Sequence, residues 1–276
     1  MYTALRDQII ILALQEDIGH GDLTTDSITP AGLQAAAKIQ AQEDAVLCGL
    51  EVAARVFQLL DPGIQFRARA CDGERIPAGR VVAEVTGSAR ALLTGERTAL
   101  NFLQRLSGIA TQVSHYVELV QGTKARLVDT RKTTPGHRDL EKYAVRCGGG
   151  QNHRFGLSDG ILIKDNHLKI AGGIEPAVRL AKKSAPHLMK IEVEVDSLDQ
   201  IAECLAAEVD CILLDNMNVE QLQEGVRIIN GRCLTEASGG IKRESIPEIA
   251  RTGVDFISVG ALTHTIRSVD LNMEIV

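Results

Sequence analysis

The sequence predicts a parallel α/β barrel preceded by a smaller α+β sandwich domain. From about Lys124 onward, short apolar runs alternate with amphipathic stretches of helical period, which is typical of successive βαβ units. Nearly every run ends in polar residues that a core would not hold. Up to about Gly108 the chain instead mixes helical stretches with short alternating runs. We place the domains at residues 1–108 and 109–276, with a C-terminal tail able to pack back on the first.

Six runs of the second domain have the length and apolar character of buried parallel strands. They are residues 126–130, 160–164, 191–195, 211–215, 233–237 and 256–260. Helical stretches such as 199–208 and 219–229 separate them. Active sites of βα barrels gather at the carboxyl ends of their strands, whereas an open doubly wound sheet binds ligands at one switch point. Polar residues at nearly every strand end therefore favour closure into a barrel.

The first domain contains two predicted helices and two predicted strands. The helices cover residues 5–14, with a broad buried face, and 48–60, and the strands cover 64–70 and 80–85. A further helix is predicted to begin with Thr94 as its N-cap. One face of that helix carries Arg97, Asn101, Gln104 and Arg105. By itself, this polar stripe is typical of a solvated helix face.

The composition excludes several classes of protein. The chain has 276 residues, of which 45% are hydrophobic and 24% charged, so wholesale disorder is excluded. A net charge of −6 and an aromatic content of 3% disfavour a nucleic-acid partner. The six cysteines form no C-x-x-C pair, which indicates packing thiols in a reducing compartment. No run approaches a membrane span and none reads as a secretion signal, so we expect a cytoplasmic protein with no membrane partner.

Cationic side chains concentrate in residues 129–167. Among them are Arg131, Lys132, Arg138, Arg146, His153, Arg154, Lys164 and His167. The segment also holds Gly148–Gly150, where backbone could approach a ligand closely. Arginine makes bidentate contacts to carboxylates and phosphates, and lysine acts as a point charge. The pattern predicts a pocket for a multiply anionic small molecule, although Arg138 also fits an ordinary helix-surface ion pair.

Two further groups of residues stand at predicted strand ends. Ser238, Gly239, Gly240 and Gly260 follow the last two strands, where barrels frequently bind phosphate, although simple turns are also glycine-rich. Glu194 and Asp215 end neighbouring strands. They fit Mg²⁺ held through substrate oxygens, or ion pairs with Lys132 and Lys164.

Two groups have more open roles. Glu192 lies deeper on the same face as Glu194, which favours a structural role. His153 and His167 could serve as acid–base catalysts, as hydrogen-bond donors to a ligand, or as core residues whose ring nitrogens are hydrogen-bonded within the protein.

Motifs throughout the chain resemble the quinolinate phosphoribosyltransferase family. They are residues 16–25, 96–101, 129–136 (DTRKTTPG), 141–145, 148–150, 152–154, 162–167 (LIKDNH), 192–196, 213–216, 236–241 and 259–264. The resemblance implies an N-terminal α+β open sandwich and an incomplete, mostly six-stranded α/β barrel. It also implies a head-to-tail homodimer, with a hexamer as a further assembly, in which Arg97 reaches into the neighbouring subunit's site.

The resemblance further implies the reaction of a decarboxylating pentosyltransferase. Quinolinate and 5-phosphoribosyl-1-pyrophosphate would give nicotinate mononucleotide, pyrophosphate and CO₂, with Mg²⁺ as the cofactor, in NAD biosynthesis. The implied quinolinate ligands are Arg97, Arg131, His153, Arg154 and Lys164. Lys132 would bind the sugar or phosphate side of the second substrate. Glu194 and Asp215 would orient the ribose hydroxyls and the Mg²⁺–pyrophosphate. The 5′-phosphate would be bound by Ser238, Gly239, Gly240 and Gly260. The implied catalytic residues are Lys132, Lys164, Glu194 and Asp215.

Three alternatives remain open on the sequence alone. One is a family-like protein linked to molybdenum transport, which the LIKDNH segment disfavours. Another is a plain nicotinate phosphoribosyltransferase, which would not need so many cations. The third is a non-catalytic anion-binding protein, which would be expected to lose some of the charged strand-end residues. His137, where the family is associated with leucine, is a departure whose role the sequence leaves open.

Overall fold

The fold is taken from a computed structural model that describes residues 3–276. The α-helices are α1 (Thr3–Ile18), α2 (Leu23–Ile28), α3 (Leu50–Leu60), α4 (Ala89–Glu118), α5 (Arg138–Cys147), α6 (Asp165–Ala171), α7 (Ile174–Ser184), α8 (Ile201–Ala206), α9 (Val219–Ile229), α10 (Ile246–Arg251) and α11 (Ala261–His264). The strands are β1 (Gln34–Ala41), β2 (Ala45–Val46), β3 (Gln65–Ala68), β4 (Arg75–Ile76), β5 (Val81–Ser88), β6 (Arg126–Val128), β7 (Ile161–Ile163), β8 (Ile191–Val195), β9 (Cys211–Asp215), β10 (Leu234–Ser238), β11 (Phe256–Ser258) and β12 (Leu271–Ile275). Short 3-10 helices cover Leu198–Gln200 and Arg243–Ser245.

The first compact unit contains Met1–Ser114, Thr133–Gly149 and Leu262–Val276. Its main sheet is antiparallel and has four strands in the order β12-β1-β5-β3. The C-terminal strand β12 pairs with β1, so the tail does return to the N-terminal sheet. The two units interleave along the chain, and the domain bounds 1–108 and 109–276 stay a prediction.

The helix predicted from Thr94 begins earlier, at Ala89, and continues to Glu118. The prediction of Thr94 as N-cap is wrong because β5 ends at Ser88 and the helix follows at once. Thr94 lies inside α4, where its Oγ1 donates to Asp22 Oδ2 at 3.1 Å.

The polar stripe of α4 is only partly solvated. Arg97 and Asn101 are exposed. Gln104 Nε2 donates to the carbonyl of Leu271 at 2.8 Å, and Arg105 pairs with the buried Glu141 at 2.6 Å. These contacts form within the first unit, so half of the stripe serves intramolecular packing.

The first helix has a narrower buried face than expected. Ile10 and Leu14 are buried, whereas Ile11 and Leu12 are 40% and 65% exposed. Residues four apart share one face of a helix, and their immediate neighbours turn away from it. The prediction of a broad buried face was therefore wrong for α1.

The second unit, His115–Lys132 and Gly150–Ala261, carries a parallel sheet of six strands. Their order is β6-β11-β10-β9-β8-β7, and every pairing between neighbours is parallel. Among the strands of the described residues, no ladder joins β6 to β7, so the sheet is an incomplete barrel, as predicted. Since the strands are parallel, their carboxyl ends lie along one edge. Within residues 3–276, no helix combines the length and apolar character needed to cross a bilayer.

Candidate functional site

The predicted site residues of the second unit lie at the carboxyl ends of its strands. Asp129, Arg131 and Lys132 follow β6, Lys164 follows β7, Glu194 lies near the end of β8, Asp215 ends β9, Ser238 ends β10, and Gly260 follows β11. The register places Ser238 beside Asp215 and Glu194 beside Leu213 on β9. Phosphate-type ligands of barrels bind at this edge, so the fold brings these residues to one place.

Lys164 and Glu194 form an ion pair between neighbouring strand ends. Lys164 Nζ lies 2.5 Å from Glu194 Oε2, and the lysine side chain is 46% exposed. The backbone of Lys164 caps helix α6, where its N–H donates to His167 Nδ1 at 2.9 Å. His167 therefore serves the cap, and Lys164 reaches toward β8. The ion-pair interpretation of Glu194 holds in this structure.

The loops after β9 and β10 interlock tightly. Asn216 adopts a φ of +54° and its N–H donates to the carbonyl of Ser238 at 2.9 Å, while its Nδ2 donates to Asp215 Oδ2 at 2.6 Å. Gly239 has a φ of +89°, and a Cβ there would lie 2.3 Å from Asn216 Oδ1. Only glycine fits this conformation and this approach without displacement.

We expect Gly239→Ala to weaken phosphate binding strongly. The methyl group requires Asn216 to move and strains the backbone by about 1–2 kcal/mol. The Kd for inorganic phosphate should rise about tenfold or more, as measured by isothermal titration calorimetry. Gly156→Ala is the matched control because its Cβ meets nothing within 4 Å. An unchanged Kd for phosphate in a folded Gly239→Ala protein would remove the phosphate role from this loop.

Asp129 organises the segment that carries His153 and Arg154. Its side chain is fully buried. Asp129 Oδ1 accepts the backbone N–H of His153 at 2.9 Å, and Oδ2 accepts Asn152 Nδ2 at 2.6 Å. The sequence marked Asp129 only as a polar strand end. A carboxylate immediately after an apolar strand was the sequence signal that could have predicted an anchoring role.

Arg154 lies in a region of concentrated positive charge. Its Nη1 donates to the carbonyl of Gly160 at 3.1 Å. Burial and then the neighbouring Arg131 guanidinium lower the pKa of Arg154. Arg154 is half-buried and Arg131 is exposed, and two neighbouring positive charges attract an anion strongly.

His153 bridges this segment to the interior of the sheet. Its Nδ1 accepts the backbone N–H of Arg154 at 2.7 Å, so the ring proton lies on Nε2. His153 Nε2 lies 3.0 Å from Glu192 Oε2 and 3.6 Å from Glu236 Oε2. Sequence reasoning did not identify Glu236 as a neighbour of His153, because its place beside Glu192 depends on strand register.

The pKa of Glu236 is raised to about 8 by its burial and then by the charge of Glu192. Between pH 4.5 and about 8, the carboxyl group of Glu236 is therefore protonated in the folded protein and ionised in the unfolded chain. This contribution to stability is complete below pH 4.5 and is lost as the pH rises through about 8.

We expect the Tm advantage of Glu236→Gln over the wild type to grow from pH 5 to pH 8.5. The glutamine cannot ionise, so the pH-dependent loss disappears, while Glu192, His153 and Cys211 around it are common to both proteins. Thermal unfolding at a series of pH values measures the difference. Parallel Tm curves for the two proteins would show that Glu236 has an ordinary pKa.

Comparisons with known proteins agree with this geometry. The family model described as quinolinate phosphoribosyl transferase, C-terminal domain, matches residues 109–274, and the N-terminal domain model matches residues 22–107. The chain belongs to this family. The predicted resemblance is therefore confirmed.

Individual relatives match over nearly the whole chain. A Bacillus subtilis (strain 168) protein named probable nicotinate-nucleotide pyrophosphorylase [carboxylating] is 46% identical, covering 94% of this chain and 90% of its own. The Mycobacterium leprae (strain TN) nicotinate-nucleotide pyrophosphorylase [carboxylating] is 44% identical, covering 99% and 98%. The solved structure of the Francisella tularensis nicotinate-nucleotide pyrophosphorylase superposes with a TM-score of 0.96 at 43% identity, covering 100% and 98%.

Some predicted residues belong to the first unit. Arg97 is exposed on α4, and its role in a neighbouring subunit stays a prediction. Gly148 was expected to approach a ligand, but a Cβ there would lie 2.4 Å from the carbonyl oxygen of Ala110, so it packs against α4. His137 stacks on Phe102 with ring centroids 6.0 Å apart, and burial lowers its pKa. His137 therefore packs against α4 in the same way.

Proposed function

We propose that this chain transfers the phosphoribosyl group of 5-phosphoribosyl-1-pyrophosphate to quinolinate with decarboxylation, giving nicotinate mononucleotide, pyrophosphate and CO₂. The observation that carries the proposal is the cluster of two guanidinium groups at the carboxyl edge of the sheet, the exposed Arg131 after β6 and the half-buried Arg154. Quinolinate is a dianion, and paired guanidinium groups suit its two adjacent carboxylates. Membership of the family and the names of the relatives support the same reaction.

The cations divide between the two substrates. Arg131 and Arg154 take the carboxylates of quinolinate, and Lys164 adds a point charge. Arg97 joins them from a second copy of the chain. Lys132 follows Arg131 at the same strand end and serves the sugar or phosphate side.

Backbone groups at two loops take the 5′-phosphate. The N–H groups around Ser238, Gly239 and Gly240, with Gly260 after the neighbouring strand, suit phosphate oxygens. Glu194 and Asp215 orient the ribose hydroxyls by accepting hydrogen bonds. This assignment places the sugar between the phosphate loops and the cations.

The residues present fit Mg²⁺ as the ion that accompanies the pyrophosphate. Glu194 and Asp215 each direct one carboxylate oxygen to a protein partner, Lys164 and Asn216, and each has a second oxygen to offer. Oxygen donors of this kind suit Mg²⁺ through substrate or water oxygens. When bound, the ion would neutralise charge on the leaving pyrophosphate.

The reaction needs positioning and charge stabilisation more than a strong general base. The ring nitrogen attacks the anomeric carbon as the bond to pyrophosphate breaks, and Glu194 and Asp215 stabilise the positive charge that develops on the ribose. The nitrogen becomes a pyridinium. The bond to the carboxylate next to it then breaks, its electron pair stays on the ring carbon, and a proton from solvent replaces CO₂.

Parallel assays with two different substrates test the proposal. Purified protein is given phosphoribosyl pyrophosphate, Mg²⁺ and either quinolinate or nicotinate, and nicotinate mononucleotide is quantified. Product from quinolinate alone is the expected result. Product from nicotinate alone would favour a plain nicotinate phosphoribosyltransferase, and product from neither would favour a non-catalytic or molybdenum-linked protein.

The assembly and setting are parts of the same proposal. A homodimer completes each site with Arg97 of the other subunit, and the pathway is the cytoplasmic synthesis of NAD.

Light scattering measures the oligomeric state. Mixing inactive Arg97→Ala protein with inactive Arg131→Ala protein tests whether the two subunits share a site, because restored activity requires sites built from two chains.

A further inference from the structure

Two acidic side chains lie inside the barrel beneath the site. Glu192 on β8 and Glu236 on β10 have side chains that are only 12% and 4% exposed. Oε1 of each is buried and has no hydrogen-bond partner from another residue. A buried carboxyl group with an unsatisfied oxygen is costly for the fold, and such costs concentrate at functional sites.

The two acids share one neighbour, His153. Glu192 Oε2 lies 3.0 Å from Nε2 of the ring, and Glu236 Oε2 lies 3.6 Å from the same atom. The other ring nitrogen accepts the backbone N–H of Arg154 at 2.7 Å. Both ring nitrogens therefore already face protein groups. The imidazole links strands β8 and β10 to the backbone of Arg154.

We propose that Glu192 and Glu236 are positioning residues for quinolinate, which act through His153 to set Arg154 against Arg131. The inference rests on the proposed function. It adds to the sequence expectation that His153 itself contacts a quinolinate carboxylate, which stays a prediction. Asp129 fixes the backbone of this segment from one side, and the two acids fix the ring from the other.

A purely structural role would favour a different choice of side chains. Apolar residues of similar size fill a buried space with equal or greater stability than ionisable groups whose oxygens lack hydrogen-bond partners. Leucine at position 236 should therefore leave the protein folded but weaken the binding of quinolinate. Glutamine keeps the shape and supplies a donor toward Glu192, so it should support binding.

The test compares Glu236→Leu and Glu236→Gln with the wild type in the quinolinate assay. We expect Glu236→Leu to keep or raise the Tm while the KM for quinolinate rises about 10- to 100-fold, because small displacements of a positioning group have effects of this size. The KM for phosphoribosyl pyrophosphate should stay within about twofold. Glu236→Gln should restore most of the affinity for quinolinate. Glu244→Gln, at an exposed residue of the same unit, is the control.

Several results would overturn the inference. A quinolinate KM that does not change in folded Glu236→Leu protein, or two KM values that rise together, would show that the acids do not position a quinolinate ligand. If Glu236→Leu fails to fold, Glu192→Leu provides the same comparison and should raise the quinolinate KM alone, with Glu192→Gln as its conservative counterpart. Wild-type protein without activity on quinolinate would instead contradict the proposed function.

Discussion

Arg131→Ala lowers kcat/KM for quinolinate by at least about 10³-fold, equivalent to about 4 kcal/mol of transition-state stabilisation. Arg131 follows β6 directly, and its charge lies close enough to Arg154 to lower the pKa of that guanidinium. On the proposed assignment, its removal leaves a quinolinate carboxylate without its bidentate partner beside the half-buried Arg154. Steady-state rates over a range of quinolinate concentrations measure the loss.

Arg126→Ala is the matched control for Arg131→Ala. Arg126 is exposed and begins β6, whereas Arg131 follows the end of the same strand. The control variant should keep kcat/KM within about twofold, as surface substitutions normally do. Near-normal turnover in folded Arg131→Ala protein would contradict the assignment of the site.

Glu194→Gln lowers kcat about 10²- to 10³-fold with a smaller change in the KM for quinolinate. On the proposed assignment, the carboxylate faces the positive charge that develops on the ribose, so its loss is felt in the transition state. The variant also removes the charge partner of Lys164, which lies 2.5 Å away. Single-turnover rates measure the step directly.

The control for Glu194→Gln is Glu244→Gln, the same change at an exposed residue of the same unit. It should leave kcat unchanged. A higher quinolinate KM with normal kcat in Glu194→Gln would assign Glu194 to holding Lys164 for binding, and would contradict its role on the ribose.

The parallel sheet could be predicted from sequence because strand and helix differ in hydrophobic period. The runs around residues 191–195 and 211–215 are β8 and β9, and the stretch at 219–229 is α9. The start of α4 could not be predicted, because residues 89–93 also fit a continuation of β5. Thr94 has a side chain that commonly caps helices, which favoured a start at that residue. In the structure, however, residues 89–93 are already helical.

The edge of the site was more predictable than its interior. Charged residues directly after apolar strands, such as Asp129 and Arg131, stand out in the sequence because a core excludes them. The depth of Glu236 depends on which residues face each other across three strands, and periodicity within one strand does not contain that register. The role of Gly148 likewise depends on α4, which packs against it from a distant part of the chain.

The most direct test of the proposed reaction uses quinolinate labelled with ¹³C in the carboxyl group next to the ring nitrogen. The protein, phosphoribosyl pyrophosphate and Mg²⁺ are added, and NMR follows the label while pyrophosphate is quantified. We predict that all of the label leaves as CO₂ or bicarbonate, with one equivalent of pyrophosphate and of unlabelled nicotinate mononucleotide. Label retained in the nucleotide product, or labelled quinolinate left unchanged by folded protein, would contradict the account.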